Sequence, residues 1–315
     1  MVERGSGGPS RALLIACFAA VWVVWGSTYL AIRFALETIP PMLMAGARYL
    51  IAGATLFALA RARGAAPPAP RQWGPAALLG LSMFVVGNGS VVFAETRIAS
   101  GAAALLIATE PLIVAVLQRE RSGGPQRAGL LLGLLGVVTL LGPSNVLGAG
   151  GLDPVAVVAL LVGSLSWAAG SLYGRRADLP ANPFLASSMQ MLVGGVAFTA
   201  AGLVRGEATA LQLSAISFRS LAALGYLIVF GSMVAFSAYG VLMRHVTPSK
   251  VSTYAYVNPV VAVLLGALLG GEALSARFVV AGAMVIAAVG LASLPSGASA
   301  LAGLRAFRVL RGRRV

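Results

Sequence analysis

The sequence predicts an all-α membrane protein whose ten transmembrane helices form two inverted five-helix repeats around a central cavity. Three observations predict this fold. The chain is 58% hydrophobic and only 10% charged, whereas soluble domains carry about 25% charged residues. Apolar spans of membrane-crossing length follow one another along the chain. Two of them, 100–117 and 249–265, repeat one pattern, and placing Glu110 over Asn258 gives an offset of 148 residues.

Each apolar span predicts one helix. An α-helix rises 1.5 Å per residue, so about 20 residues cross the roughly 30 Å of hydrocarbon in a bilayer. Turn and breaker residues separate the spans, among them Pro40-Pro41, Gly123-Gly124-Pro125 and Asn182-Pro183. The predicted limits of the spans are 12–36, 42–60, 73–94, 98–118, 128–142, 154–174, 184–204, 219–243, 250–269 and 278–295.

The basic residues set the orientation of these helices. With the N-terminus in the cytoplasm, the cytoplasmic segments hold 17 of the 23 lysines and arginines, and the outer loops hold 4. The positive-inside rule then predicts an even number of helices and two cytoplasmic termini. The predicted organisation is a cytoplasmic tail 1–11, a first repeat 12–142, an outer linker 143–153, a second repeat 154–295 and a basic cytoplasmic tail 296–315.

Composition also argues against several classes of protein. The net charge of +14 does not indicate nucleic-acid binding, because the basic residues lie between apolar spans and at the chain ends. One cysteine, Cys17, permits no intramolecular disulfide, and no Cys/His spacing typical of a metal site is present. A phosphate-binding GxxxxGK[ST] loop is missing as well. We therefore expect no cofactor and no metal.

Two pairs of residues mark the centre of the membrane. Glu110 in the first repeat and Asn258 in the second each precede a proline within an apolar span. Trp25 and Trp167 each lie 13 residues into a predicted helix, about 20 Å deep from opposite sides. Inverted repeats place substrate sites near the midplane, at the interface of the two halves. Polar residues in lipid are costly, so they usually have a function there.

Four segments resemble the paired EamA domains of the drug/metabolite transporter superfamily. They are WGSTYLAIRFAL at 25–36, ARYLIAG at 47–53, ALLIATEPL at 104–112 and YVNPVVAVLLGALLGGE at 256–272. The first copy of the last motif departs from the pattern, because Glu110 stands in place of asparagine. The resemblance implies ten helices around a cavity lined by helices 1, 3, 4, 6, 8 and 9. It also implies transport of small metabolites, commonly efflux of amino acids or related compounds.

Glu110 is the main candidate for chemistry. A lone carboxylate at the midplane is paired, protonated or hydrated. It serves either proton coupling or binding of a substrate ammonium group, unless it forms a structural ion pair with Arg33 or Arg48. Those two arginines are themselves candidates for binding a substrate carboxylate, although they could also extend towards the outer surface, or pair with Glu37.

The remaining candidates are polar or aromatic residues near the midplane. Asn258, with the carbonyl that Pro259 frees near Ala255, binds substrate or an ion, or else it joins two helices at a kink. Asn88 lies among glycines that allow close backbone approach. The predicted substrate-binding residues are Trp25, Tyr29, Asn88, Glu110, Trp167, Tyr254 and Asn258, with Arg33 and Arg48 as an ion pair or a carboxylate site.

The sequence thus predicts a secondary transporter of the inner or plasma membrane rather than an enzyme. We expect it to move an amino acid, an amine or a drug-like compound, in the export direction, by alternating access. The driving force is either the proton gradient or the substrate's own gradient. The alternatives are a flippase for lipid-linked carriers and a membrane-embedded enzyme. The expected partners are the substrate and the lipid bilayer, with no nucleic acid, and the chain is expected to be a monomer or a weak oligomer.

Overall fold

The computed structural model describes residues 9–98, 103, 106–118, 123–141, 153–270 and 276–293, and its regular structure within those ranges is entirely helical. We label ten helices in chain order, and three short helical turns, Glu207–Ala210, Leu213–Ala215 and Pro248–Val251, remain unlabelled. The ten are α1 Arg11–Ala35, α2 Pro41–Ala62, α3 Pro70–Glu95, α4 Glu110–Leu117, α5 Gly124–Leu141, α6 Pro154–Gly174, α7 Pro183–Val204, α8 Phe218–His245, α9 Tyr254–Gly270 and α10 Ala276–Ser293.

Six of these helices, α1, α2, α3, α6, α7 and α8, are long and apolar enough to cross a bilayer. The all-helical membrane fold is therefore confirmed. The other four helices occupy the predicted positions of spans four, five, nine and ten, and parts of those spans lie outside the described residues. The predicted linker 143–153 and both terminal tails also fall largely outside them.

Two of the differences from the predicted helix limits have a clear physical cause. Helix α5 begins at Gly124, four residues before the predicted start. Pro125 fits there because backbone N–H groups in the first turn of a helix have no hydrogen-bond partner within the helix, so proline loses none. The predicted ninth span is broken into a short turn, Pro248–Val251, and helix α9. In the break, the hydroxyls of Ser252 and Thr253 donate to the carbonyls of residues 249 and 250. Such local bonds compete with regular helix.

Side-chain caps explain several helix starts. Ser10, Asp153, Asn182 and Ser217 each accept a backbone N–H from the first turn of the helix that follows. Asp153, outside the membrane-spanning segments, also accepts a hydrogen bond of 2.8 Å from Arg97. That bond, followed by the Val155 amide, lowers the pKa of the Asp153 carboxyl.

Helices α3 and α8 each contain a π-helical segment, which the sequence did not predict. The segments are Gly80–Asn88 and Leu227–Val234, and their first residues are 147 positions apart, close to the 148-residue offset of the repeats. Wide π turns leave carbonyls displaced from the regular ladder, and they are frequent at functional sites. Here Asn88 donates to the carbonyl of Met83, and Ser166 of α6 donates to that of Ser82.

The helix contacts are reciprocal between the two repeats. Helix α2 packs on α7 and α5 packs on α10, so equivalent helices meet each other. Helix α1 packs on α8 and α9 of the second repeat, while α6 packs on α3 and α4 of the first. A two-fold relation between the repeats produces this exchange of partners. It brings α1, α3, α4, α6, α8 and α9 together at the centre of the bundle.

Candidate substrate cavity

A polar cavity lies at the centre of the bundle, between the two repeats. Its volume, counted as the space open to the centre of a water molecule, is about 80 Å³. A single water needs about 10–15 Å³ of such space, so the cavity can hold a small hydrated ligand. Eight of the nine predicted site residues line this single cavity. They are Trp25, Tyr29, Arg48, Asn88, Glu110, Trp167, Tyr254 and Asn258.

Arg33 is the exception among the predicted site residues. Its side chain is exposed and lies outside the cavity. The suggested pairing of Arg33 with Glu37 is not formed either, because Glu37 pairs with Arg219 at 3.2 Å. Within the described part of the chain, no basic nitrogen lies within 4.0 Å of the Glu110 carboxylate, so an ion pair with Arg33 or Arg48 is also absent.

Glu110 is 4% exposed and begins helix α4. Both of its carboxylate oxygens lie within hydrogen-bond distance of the Tyr254 hydroxyl, at 2.8 and 2.7 Å. Residues 108 and 109 form a turn, so the predicted fourth span is interrupted immediately before Glu110. Pro111 then occupies the first turn of the new segment, and the positive end of the helix dipole favours a carboxylate there.

Tyr254 begins the corresponding helix of the second repeat, four residues before Asn258, which aligns with Glu110. It is the first residue of α9, directly after the break at residues 252–253. Each repeat therefore contains an interrupted helix, and the first residue after each interruption lines the cavity. Transporters built from inverted repeats commonly form their substrate sites from such half-helices.

Arg48 is a buried cation in the same cavity, 4% exposed. Its Nε donates to the hydroxyl of Ser232 in the π segment of α8 at 2.8 Å. The guanidinium carbon lies 4.9 Å from the centre of the Tyr49 ring. Within the described residues, no carboxylate oxygen lies within 4.0 Å of it. A buried charge without a counterion is costly, which makes this guanidinium a ready anion site.

The two asparagines combine a structural role with their place in the cavity wall. In the orientation that satisfies its neighbours, the Asn258 amide nitrogen donates to the carbonyls of Trp22 on α1 and Tyr254 on α9, both at 3.1 Å. Asn258 thereby joins the two repeats. Asn88 holds the π segment of α3 through its bond of 3.3 Å to Met83.

An aromatic cluster closes one side of the cavity. Trp25 lies at its centre, with ring centroids 4.9–5.6 Å from those of Tyr254, Phe236, Tyr239 and Trp167. We call these five residues the aromatic partition. The indole N–H of Trp25 donates to the carbonyl of Gly231, in the π segment of α8, at 3.2 Å.

A second cavity lies on the other side of the aromatic partition. It is larger, about 340 Å³ on the same measure, and its walls come from α3, α6, α7 and α8. Phe236, Tyr239, Arg175 and Arg244 line it. It lies at the end of the bundle that the charge bias predicts to be cytoplasmic.

The cavity wall differs from the predicted helix set. Helix α2 contributes Arg48, whereas the resemblance placed α8 at the wall and not α2. Trp25 and Arg48 contact Gly231 and Ser232 and thereby cover that part of α8. Small polar residues that were not predicted also line the cavity, namely Thr28, Ser90 and Ser164. Serine and threonine are common in ordinary helix packing in membranes, so they gave no separate signal.

Metal binding finds no support in the described residues, where no three His, Cys, Asp or Glu side chains come close enough to hold an ion. The cavity wall instead offers one carboxylate, one guanidinium, two amides, several hydroxyls and aromatic rings. Such a set suits a small organic molecule that carries charged groups.

Comparison with known sequences agrees with this architecture. The profile of the EamA-like transporter family matches residues 11–142 and again residues 154–294. The chain belongs to the EamA-like transporter family. It therefore contains two EamA repeats and is a multi-pass membrane transporter.

Individual relatives extend this finding. The chain is 41% identical over 286 residues to the "Uncharacterized inner membrane transporter YedA" of Escherichia coli strain K12, covering 89% of this chain and 90% of that protein. It is 26% identical over 268 residues to a "Probable amino-acid metabolite efflux pump" of the same strain, covering 81% and 86%. A solved crystal structure matches with a TM-score of 0.73 at 22% identity, over 90% of this chain and 97% of the other, which shows a shared fold.

Proposed function

We propose that this EamA protein exports a small zwitterionic metabolite of the amino-acid class by alternating access. One observation carries the proposal: a buried guanidinium and a buried carboxylate, Arg48 and Glu110, line one cavity without pairing with each other. Each charge is costly while its counterpart is missing. A ligand that carries one negative and one positive group compensates both at once.

The geometry of each group favours a particular part of the ligand. The guanidinium of Arg48 has one N–H engaged by Ser232, and its planar fork suits a carboxylate. Glu110 accepts from Tyr254 and has lone pairs left for an ammonium group. The rings of Trp25 and Tyr29 in the same wall add cation–π attraction. The name of the efflux pump to which the chain is similar supports the same substrate class.

The two cavities support alternating access. The central cavity and the larger cavity at the predicted cytoplasmic end lie on opposite faces of the aromatic partition. A substrate that passes from one to the other requires Trp25 and its neighbours to separate. In this proposal, rocking of the two repeats opens the aromatic partition on one side while the other side closes.

We further propose that Glu110 couples export to uptake of a proton. A protonated Glu110 is neutral and releases an ammonium group, whereas the carboxylate binds it. Proton binding at the outer side would therefore displace the substrate there. A transport rate that stays pH-dependent in Glu110→Gln would contradict this role.

The alternative functions receive less support. A flippase for lipid-linked carriers needs a groove open to the bilayer, whereas the lining side chains of Trp25, Arg48 and Glu110 are each less than 9% exposed. A membrane-embedded enzyme needs at least two convergent catalytic groups, and the cavity wall provides a single carboxylate.

A ligand screen tests the proposal. The purified protein is heated with each of the twenty standard L-amino acids and, for each one that stabilises it, with the corresponding amine and carboxylic acid. A ligand at 100 times its Kd stabilises the folded state by about 2.7 kcal/mol, which raises the melting temperature. We expect at least one amino acid to do so, and its one-charge analogues to do so less.

Three variants assign the charges. Arg48→Met is expected to be stabilised by the amino acid no more than by the corresponding amine, which lacks the carboxylate. Glu110→Gln is expected to be stabilised by the amino acid no more than by the corresponding carboxylic acid, which lacks the ammonium group. Arg205→Met, at an exposed position at the end of α7, is the matched control and should respond like the wild type. Stabilisation by neutral or lipid-like compounds alone, unaffected by Arg48→Met and Glu110→Gln, would contradict zwitterion binding.

A further inference from the structure

A second buried carboxylate lies at the far end of helix α3. Glu95 is the last residue of that helix. Both of its carboxylate oxygens are shielded from solvent, and neither has a hydrogen-bond partner within the described residues. Buried polar groups are nearly always hydrogen-bonded, and an unpaired charge in a membrane span is costlier still. Such a group therefore calls for an explanation by function.

The position of Glu95 connects it to the central cavity. Asn88 and Val91 line the cavity, and residues at i, i+3 and i+7 share one face of a helix, so Glu95 lies on the same face of α3, beyond the residues that line the cavity. It lies about 10 Å further along the helix than Asn88, towards the predicted outer end. Tyr29 of the cavity wall interacts electrostatically with both Glu95 and Glu110.

Among the described residues, few ionisable groups interact with Glu95. Helix α1 presents Tyr29 and also Arg33, which interacts electrostatically with Glu95 without forming a contact within 4.0 Å. Asp153, at the start of α6, is occupied by its ion pair with Arg97. On α2, the nearest buried cation is the cavity arginine already described. Arg33 is therefore the cation available to compensate a negative charge on Glu95.

We propose that Glu95 is the outer proton-binding site of the transport path, from which a proton passes to Glu110 across the central cavity. The inference rests on the proposed proton-coupled export. In the transfer, the O–H bond of the Glu95 carboxylic acid breaks and its electron pair stays on Glu95. The proton forms a new O–H bond on the carboxylate of Glu110. One acid becomes charged as the other becomes neutral, so the total charge is unchanged.

The surroundings of Glu95 favour a proton over a larger cation. A single carboxylate that belongs to no group of three His, Cys, Asp or Glu side chains in the described part of the chain is a poor start for the coordination shell that metal cations require. The neutral acid tolerates a buried position without a partner far better than the carboxylate does. After the proton leaves, the exposed guanidinium of Arg33 can approach and stabilise the charge. This gives a role to the one predicted site residue that lies outside the cavity.

Carbodiimide labelling tests the site without knowledge of the substrate. Dicyclohexylcarbodiimide reacts with protonated carboxyl groups in apolar surroundings, and mass spectrometry of proteoliposome samples locates the adduct. We expect an adduct on Glu95 at pH 6 whose yield falls by about tenfold per pH unit once the acid ionises. Exposed Glu37, paired with Arg219, is the internal control and should stay unlabelled. No adduct on Glu95 at any pH, or a yield that is constant from pH 5 to 10, would overturn the proposal.

Proton flux provides the second measurement. Proteoliposomes loaded with a pH-sensitive dye receive an equimolar mixture of the twenty L-amino acids, and the internal pH is followed. We expect Glu95→Gln to lower the flux at least tenfold while the mixture still raises its melting temperature. Glu95→Asp, which keeps an acid, should recover part of the flux. Size-exclusion profiles establish that both variants are folded.

The two measurements separate the two proposals. If the wild type moves protons and Glu95→Gln moves them equally well, the role of Glu95 is wrong and proton-coupled export stands. If the wild type moves no protons with the mixture, proton-coupled amino-acid export is wrong. In that case the labelling at Glu95 still decides whether the outer proton site exists.

Discussion

The hydroxyl of Tyr254 contacts both carboxylate oxygens of Glu110, at 2.8 and 2.7 Å. The two residues begin the half-helices α9 and α4, so this contact joins the two repeats beside the cavity. A phenol has one proton and can donate to only one oxygen at a time. The second oxygen is therefore left for a substrate ammonium group or a proton, which links occupancy of the site to the contact between the repeats.

Removal of this hydroxyl should destabilise the protein. In Tyr254→Phe the buried carboxylate loses its donor, and we expect a loss of about 1–3 kcal/mol in the free energy of unfolding. Tyr256→Phe on the same helix is the control, because Tyr256 donates only to the carbonyl of Leu130, within helix α5. Thermal melting of both variants measures the difference. Equal melting temperatures for the two would show that Glu110 does not depend on Tyr254.

Arg48 should not be replaceable by lysine. A lysine keeps the positive charge but lacks the planar fork that binds a carboxylate with two hydrogen bonds. We expect Arg48→Lys to weaken amino-acid binding by at least tenfold, or about 1.4 kcal/mol, in titration calorimetry. Ser232→Ala removes only the hydroxyl that positions Arg48 and should weaken binding less. A lysine variant that binds as tightly as the wild type would argue against carboxylate recognition here.

Gly26 should tolerate no side chain. A Cβ at this position would lie 2.6 Å from the Cβ of Val261 and 3.1 Å from the carbonyl oxygen of Asn258, at the contact of α1 with α9. Overpacking of this kind costs about 1–3 kcal/mol, so Gly26→Ala should lower the melting temperature. In Gly282→Ala on α10 a Cβ would meet nothing within 4 Å, and alanine favours helix. The melting temperature of this control should equal or exceed that of the wild type. If Gly26→Ala melts at the same temperature as the control, α1 and α9 can separate freely at this contact.

Trp25→Ala should make the protein leaky. The indole contacts the other four rings of the aromatic partition and the Gly231 carbonyl, so its loss opens a path between the two cavities. We expect faster passive release of radiolabelled glycine from proteoliposomes that contain this variant. Trp73→Ala is the control, since Trp73 is 37% exposed and lines neither of the two cavities. Release no faster than from wild-type vesicles would show that Trp25 does not separate the compartments.

Much of the site was predictable because polar groups in lipid are rare. Glu110, Asn258 and Arg48 stand out in apolar spans, and the offset between the repeats aligned Glu110 with Asn258. The same reasoning missed Glu95, which lies at the end of a span where charged residues are ordinary. Tyr239 gave no signal either, because aromatic residues serve equally well in plain packing.

The breaks and wide turns in the helices were not predictable for a different reason. The turn before Glu110 interrupts a sequence that is apolar on both sides, and the break at 252–253 lies within a span that was predicted as one helix. Hydropathy measures transfer into lipid, and it is the same whether a helix is continuous or interrupted there. Side-chain bonds to backbone groups decide the outcome, and they are local at Ser252 and Thr253 but join residues distant in sequence at Ser166 and Ser82.

The π segment of α3 also sets the rotation, about the helix axis, of the part of α3 that follows it. A wide turn accommodates one residue more than an ordinary turn, and each residue of an α-helix accounts for about 100° of rotation. If the segment between 80 and 88 rewound to regular α-helix with all of its residues kept, the distal half would rotate by roughly that angle. Val91 and Glu95 would then point at different neighbours, although composition and hydropathy would not change.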